Sequence, residues 1–222
     1  MKKAKHLLPF YILLTLLTIS CTTIPFFWDG TFFSALSVYF YENGMNGLIA
    51  PLPIDTGGFP LYSSYLTFAW NLFGKTLTVS HLAILPFILG IVFEFYKLAK
   101  RFINEKTIFL ALILLIIEPV FITQSILMGY DILIAYFFLL SLNSLYEKKQ
   151  LLFSIALIFL CLISIRGIML ASAIFTIDLV RERKIDLKLI RNYIPAAFIL
   201  FIWFVYHKTQ TGWYLFSPTR EN

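Results

Sequence analysis

From Thr107 to Leu145 the chain runs with only two charged side chains, Glu118 and Asp131. As one helix this stretch would be ~59 Å long, about twice the ~30 Å hydrocarbon core of a bilayer, so it must turn back on itself and make two spans. The turn is expected near Gln124 to Asp131, where Pro119, Gly129 and Thr123-Gln124-Ser125 interrupt the apolar pattern. Glu147-Lys148-Lys149 then closes the pair. With 59% hydrophobic residues, 14% charged residues and a mean hydropathy of +0.83, a soluble domain would have no way to cover its apolar surface, so an integral membrane protein is expected. The net charge of +6 sits in short clusters between apolar runs rather than on one face, so it reads as a topology signal, not as a nucleic-acid surface. Cys21 and Cys161 fall inside apolar segments as small buried hydrophobes, and no disulfide framework is implied.

The remaining runs follow the same arithmetic. Lys2-Lys3-Ala4-Lys5 before an apolar run ending Thr18-Ile19-Ser20-Cys21 resembles a lipoprotein signal as well as an anchor. The run continues to Phe27, however, and 7–27 makes ~31 Å of helix, so an uncleaved first span is the simpler reading. Residues 31–42 suit an interfacial helix with aromatic rings at headgroup depth, or an ordinary loop helix packed on its neighbours. Residues 59–73 reach only ~22 Å as a helix and carry Ser63, Ser64 and Asn71, which suggests a segment lying on or dipping into the outer leaflet. Residues 77–96 make the second span, 151–180 split into two short spans meeting at Arg166-Gly167, and 193–206 make the last. The fold class expected is therefore all-α, a polytopic bundle of about seven spans with interfacial helices in a long first outer loop, 28–76. Nothing suggests an internal repeat or a second domain, so residues 1–222 read as one membrane domain.

Charge asymmetry supports this topology. With the N-terminus in the cytoplasm, 14 of the 18 lysines and arginines fall in cytoplasmic segments, leaving Lys75, Arg166, Lys208 and Arg220 outside. If 59–73 crossed the membrane, the split would become 7 inside against 11 outside. The same topology gathers Asp29, Glu42, Asp55, Asp131, Arg166 and His207 at the outer face, although they are scattered along the sequence. Ionisable groups at membrane depth are costly and are usually retained for a pathway, a partner or chemistry.

Each of these residues has a functional and a structural reading. Asp29, just after the first span and beside Trp28, suits a general base that takes a proton from an acceptor hydroxyl, or is a solvated loop carboxylate. Asp55 precedes Thr56-Gly57-Gly58, whose glycines would let backbone approach a ligand, or form an ordinary turn. Asp131 either lines the site or caps a helix. Arg166 between apolar helices wants an anion, of which a lipid phosphate is the most available, or pairs with Asp131 or Asp29. Glu118 beside Pro119 reads as an intramembrane acid in a polar pair at a helix kink. His81 and His207 are more often satisfied helix-end histidines than ligands, though His81 stays among the groups that could contact substrate. No metal spacing is present.

Taken together, Asp29, the run Asp55-Thr56-Gly57-Gly58-Phe59-Pro60-Leu61 through Leu72-Phe73-Gly74, the segment Glu118 to Ser125 with Gly129-Tyr130-Asp131, and Arg166-Gly167 resemble the polytopic glycosyltransferases of the GT-C fold. That family takes a sugar from a polyprenyl-phosphate carrier, and includes protein O-mannosyltransferases and the lipid A aminoarabinose transferase. The resemblance implies transfer to a hydroxyl acceptor on a glycan, lipid or protein, at the extracytoplasmic face of a bacterial-type inner membrane. It implies Asp29 as base and Arg166 facing the carrier phosphate, with Asp131 and Asp55 positioning acceptor, donor or a divalent cation. Two departures stand out: Gly30 replaces the second of the family's paired acids, and Gly58 stands where many relatives have a histidine. Relatives usually continue with further spans, so the chain looks like the N-terminal module, with a partner subunit as one source of the rest. The competing class is a non-catalytic scaffold subunit, or a binder or transporter of lipid-linked sugar. A transporter should show polar groups right through the bundle rather than at one face.

Overall fold

The structure is a computed structural model describing residues 6–27, 29–45, 48–51, 54, 59–183 and 187–214. It is helical, with no strand among the described residues. Its helices are α1 (Leu8–Ser20), α2 (Asp29–Glu42), α3 (Leu61–Phe73), α4 (Leu77–Ala99), α5 (Glu105–Ile117), α6 (Pro119–Ile126), α7 (Asp131–Tyr146), α8 (Gln150–Cys161), α9 (Ile165–Glu182) and α10 (Leu187–Thr211). Two of them, α4 and the 189–211 part of α10, are long and apolar enough to cross a membrane; the bent α5 and α6 pair makes a third if it is one span. Large apolar side chains also face outward, among them Leu13 and Leu16 on α1, Leu110 and Leu114 on α5, and Phe198 and Phe201 on α10.

Local chemistry explains where the helices begin and end. Thr76 caps α4 by accepting from the Val79 N–H at 3.1 Å, and Asn104 caps α5 by accepting from Thr107 N–H at 3.0 Å. Between α5 and α6 the axis bends by 55° at Glu118-Pro119. Proline removes the N–H that would continue α5, and the Glu118 carboxylate accepts from Phe121 N–H at 2.6 Å, which starts α6 afresh. The kink is therefore where Glu118 and Pro119 suggest, but the acid caps backbone instead of pairing with a polar side chain.

The first apolar run departs from expectation. Only 8–20 is helical, ~20 Å of it, and the remainder to Phe27 is turn and irregular chain. The Ser20 hydroxyl bonds the Leu16 and Leu17 carbonyls and Thr22 bonds Ile19, while Pro25 biases Ile24 away from helix. The break expected at Arg166-Gly167 falls slightly earlier, at 162–164, so those two residues occupy the first turn of α9.

Helices α4, α7 and α8 pack side by side at the centre, with α1 on α4, α10 on α8, and α2 on α3. At Gly90 a Cβ would run into the Tyr136 ring, so the missing side chain lets α4 and α7 approach. Lower on the same seam the buried Glu94 carboxylate accepts from Asn143 Nδ2 at 2.7 Å and from Lys97 Nζ at 3.0 Å, and Asn143 also donates to the Glu94 carbonyl at 2.7 Å. Lipid tails are as apolar as leucine, so polar links of this kind set helix pairing more than apolar burial does. Asn143→Ala is expected to destabilise the protein by about 2 kcal/mol, because it strips a partner from a buried carboxylate; thermal unfolding in detergent reads this directly.

The bundle has two chemically different ends. At one, Glu147 pairs with Lys149 at 2.7 Å, Arg101 at 3.0 Å and Lys97 at 3.4 Å. The Lys149 hydrogen bond, assisted by the Lys97 charge, holds the Glu147 carboxyl below its ordinary range. Arg101 and Arg181 both lie over the Tyr146 ring, which draws the last turns of α4, α7 and α9 to the same level. At the other end lie the first turns of α2, α7 and α9.

Candidate functional site

The turn from α6 to α7 builds one wall of the site. Gly129 N–H bonds the Gln124 carbonyl at 2.9 Å while Met128 adopts a left-handed φ of 55°, closing α6 in a Schellman motif. The fully buried Tyr62 of α3 donates its phenol to the Met128 carbonyl at 2.6 Å. Phe33 of α2 rests on Tyr130 with ring centroids 4.4 Å apart. A Cβ on Gly129 would meet the Gln124 side-chain amide, so the glycine leaves that amide its place beside the turn.

The second wall comes from α8 and α9. Ser164 is extended and buried, and α9 begins directly after it. A Cβ on Gly167 would fall on the Leu160 carbonyl of α8, so glycine allows the two helix ends to touch. One turn of chain earlier, Leu61 N–H donates to the Leu162 carbonyl at 3.1 Å, which ties the start of α3 to the same corner. Arg166 thereby faces α7, and its Nη1 donates to both Asp131 oxygens, at 3.1 and 3.2 Å. Its guanidinium also lies 5.7 Å from the centre of the Tyr130 ring. The Arg166 side chain remains 55% exposed and that of Asp131 31% exposed, so the pair is open to solvent or to a ligand.

The third wall is the start of α2. Its Gly30 lies against the Leu127 carbonyl, and a cleft of about 70 Å³ is lined by Phe27, Gly30, Gln124, Leu127, Gly129, Tyr130 and Asp131. Two helices, α2 at Gly30 and α7 at Asp131, present their N-termini to this cleft, and the first turn of a third, α9, is tied to it through the pair of Arg166 with Asp131. A helix N-terminus carries roughly half a positive charge, which favours anions. An acidic residue begins two of the three helices, and an arginine stands in the first turn of the third.

Sequence-predicted residues divide into three groups. Asp131 and Arg166 are brought into direct contact, and the backbone of Asp29 joins them through Gly30. The Asp29 side chain and the whole of Asp55 lie outside what the structure describes. The remaining candidates sit elsewhere. His81 is fully buried, with Nε2 donating to the Ile24 carbonyl at 3.0 Å, so it ties α4 to the 21–27 segment and does not line the cleft; this corrects its reading as a substrate contact. His207 is buried with Nδ1 3.1 Å from the Trp213 carbonyl, and Glu42 pairs with Lys75 at 3.0 Å. Among the described residues, no three histidine, cysteine or acidic side chains come together as a metal cluster.

The reading of 59–73 also changes in its cause. Ser63 is fully buried and donates to the Phe33 carbonyl at 3.1 Å, and Thr67 donates to the Ser37 carbonyl at 2.9 Å. Those polar groups fasten α3 to α2, while Asn71 is exposed. Sequence reasoning passed over Tyr62 and Gln124 as parts of the site, and over Glu94 and Asp178 as buried acids elsewhere. For the two acids the signal was present, since each lies three residues before a basic side chain at the end of an apolar run. Comparison with protein-family models, curated proteins and solved structures finds no match for this chain.

Proposed function

We propose that the chain is a membrane glycosyltransferase module, similar to the GT-C family, that moves a sugar from a polyprenyl-phosphate donor to a hydroxyl acceptor. The observation that carries this reading is the cleft at the N-termini of α2 and α7, with Arg166 paired to its Asp131, because such a pole suits a phosphate leaving group. In the proposed reaction Asp29 takes the proton of the acceptor hydroxyl, which attacks the anomeric carbon as the bond to the carrier phosphate breaks. Arg166 receives the departing phosphate. Asp131 holds the guanidinium toward the cleft until the phosphate competes for it. Helices α1, α4, the bent α5 and α6 pair, α7, α8, α9 and α10 supply the seven crossings of the proposal. The basic end containing Lys97, Arg101 and Lys149 then lies in the cytoplasm of a bacterial-type inner membrane, and Arg166 faces outward.

A second reading rests on the size of the cleft. At about 70 Å³ it is far below the roughly 300–1,000 Å³ usual for ligand pockets, which favours a non-catalytic scaffold subunit. Binding of a synthetic polyprenyl phosphate to the purified protein in detergent tests the carrier site. Saturable binding that falls at least about tenfold in Arg166→Ala is expected. Absence of saturable binding in the unaltered protein would leave the scaffold.

A further inference from the structure

A polar cavity of about 440 Å³ lies between α7, α8, α9 and α10. Its Arg181 stands on α9 fifteen residues beyond Arg166, or ~22 Å along the axis, so it is separate from the cleft described above. Ser144, Lys148, Gln150, Asp178, Arg181, Glu182 and Asn192 supply its polar lining. Among the described lining residues the formal charges balance, two cations against two anions, which disfavours a simple anion or a simple cation as occupant.

The lining is nevertheless not self-satisfied. Ser144 is 1% exposed and its hydroxyl has no hydrogen-bond partner, although its carbonyl accepts from Lys149 N–H at 2.9 Å. Lys148 sits at the left-handed residue ending α7, exposed, and makes no ion pair among the described residues. Arg181 is held in place by Glu182 at 3.3 Å and by the Tyr146 ring, and Asp178 by the Tyr193 phenol at 3.2 Å. Within one cavity lining, an unpartnered hydroxyl and a lysine ammonium suit phosphate oxygens, and the two carboxylates suit an ammonium.

We propose that this cavity binds a phosphate ester bearing a primary ammonium, the headgroup chemistry of an aminophospholipid. The phosphate lies toward Lys148, Arg181 and the Ser144 hydroxyl, and the ammonium toward Asp178 and Glu182. The site stands independently of sugar transfer at the opposite end of the bundle.

Native mass spectrometry of the purified full chain in detergent tests it, with dioleoylphosphatidylethanolamine, dioleoylphosphatidylcholine, dioleoylphosphatidylglycerol and soluble phosphoethanolamine as probes. The ethanolamine lipid is expected to bind about tenfold more tightly than the other two lipids, and Lys148→Ala and Ser144→Ala are each expected to weaken it by about fivefold. Ser144→Ala removes an unpaired buried group, so without lipid its melting temperature should be unchanged or higher, which separates lost binding from misfolding. Phosphoethanolamine competing at similar affinity would assign the site to the soluble compound and support the same chemistry. Equal retention of all three lipids, or binding indifferent to both substitutions, would overturn the proposal.

Discussion

Asp29→Asn is expected to abolish sugar transfer while leaving the protein expressed and folded. Asparagine keeps the size of the side chain but cannot accept a proton, and a positioned general base is worth about 10²–10⁴ in rate. On the proposed reading the loss should fall on kcat, because the variant leaves Arg166, the residue proposed to meet the carrier phosphate, untouched. Stability should change little: a carboxylate in the first turn of α2 contributes about 0.3–1 kcal/mol through the helix dipole, and asparagine is itself a good residue for a helix start. The check is transfer from a panel of polyprenyl-phosphate sugars, run beside a melting curve. Undiminished turnover in the variant would remove Asp29 as the base and leave Asp131 as the acid nearest the cleft.

Gly167→Ala should be the most damaging small substitution at the site. The added Cβ falls on a backbone carbonyl, that of Leu160, which cannot swing aside as a side chain can. Separating α8 from α9 costs about 3 kcal/mol as overpacking, against which the better helix propensity of alanine returns only about 1 kcal/mol. The shift also carries Arg166 away from Asp131, so carrier binding should fall together with the melting temperature. Gly129→Ala is the informative comparison. Its Cβ meets the end of the Gln124 side chain, which can rotate away, so the fold should tolerate it with a much smaller loss. Equal melting temperatures for Gly167→Ala and the unaltered protein would show that the α8 and α9 contact is looser than its geometry implies.

Much of the helix order was legible in the sequence because apolar run length and breaker residues act locally. The 127–130 turn lies where Pro119, Gly129 and the Thr123-Gln124-Ser125 group placed it, and the α8 to α9 break falls within a few residues of Arg166-Gly167. The contact of Asp131 with Arg166 was also among the readings open to the sequence, since a cation between apolar helices needs an anion nearby. Other features had no local signature. Ser63, Thr67 and His81 each bond a backbone carbonyl on a distant segment, and carbonyls are the same at every residue, so no residue type announces the partner. The early end of α1 was hidden for a different reason: an apolar run reports solubility in lipid, whereas the helix ends where Ser20, Thr22 and Pro25 compete for the backbone.

The Tyr62 phenol, bonded to the Met128 carbonyl, has a consequence for how the cleft can widen. Because Tyr62 belongs to α3, and α3 is fastened to α2 through Ser63 and Thr67 and to α4 through Tyr65 and Trp70, the lining of the cleft is mechanically one piece with three helices. Any widening at the 127–130 turn must therefore either break the Tyr62 bond or carry α3 with it, so access to the cleft is not a matter of turning one side chain.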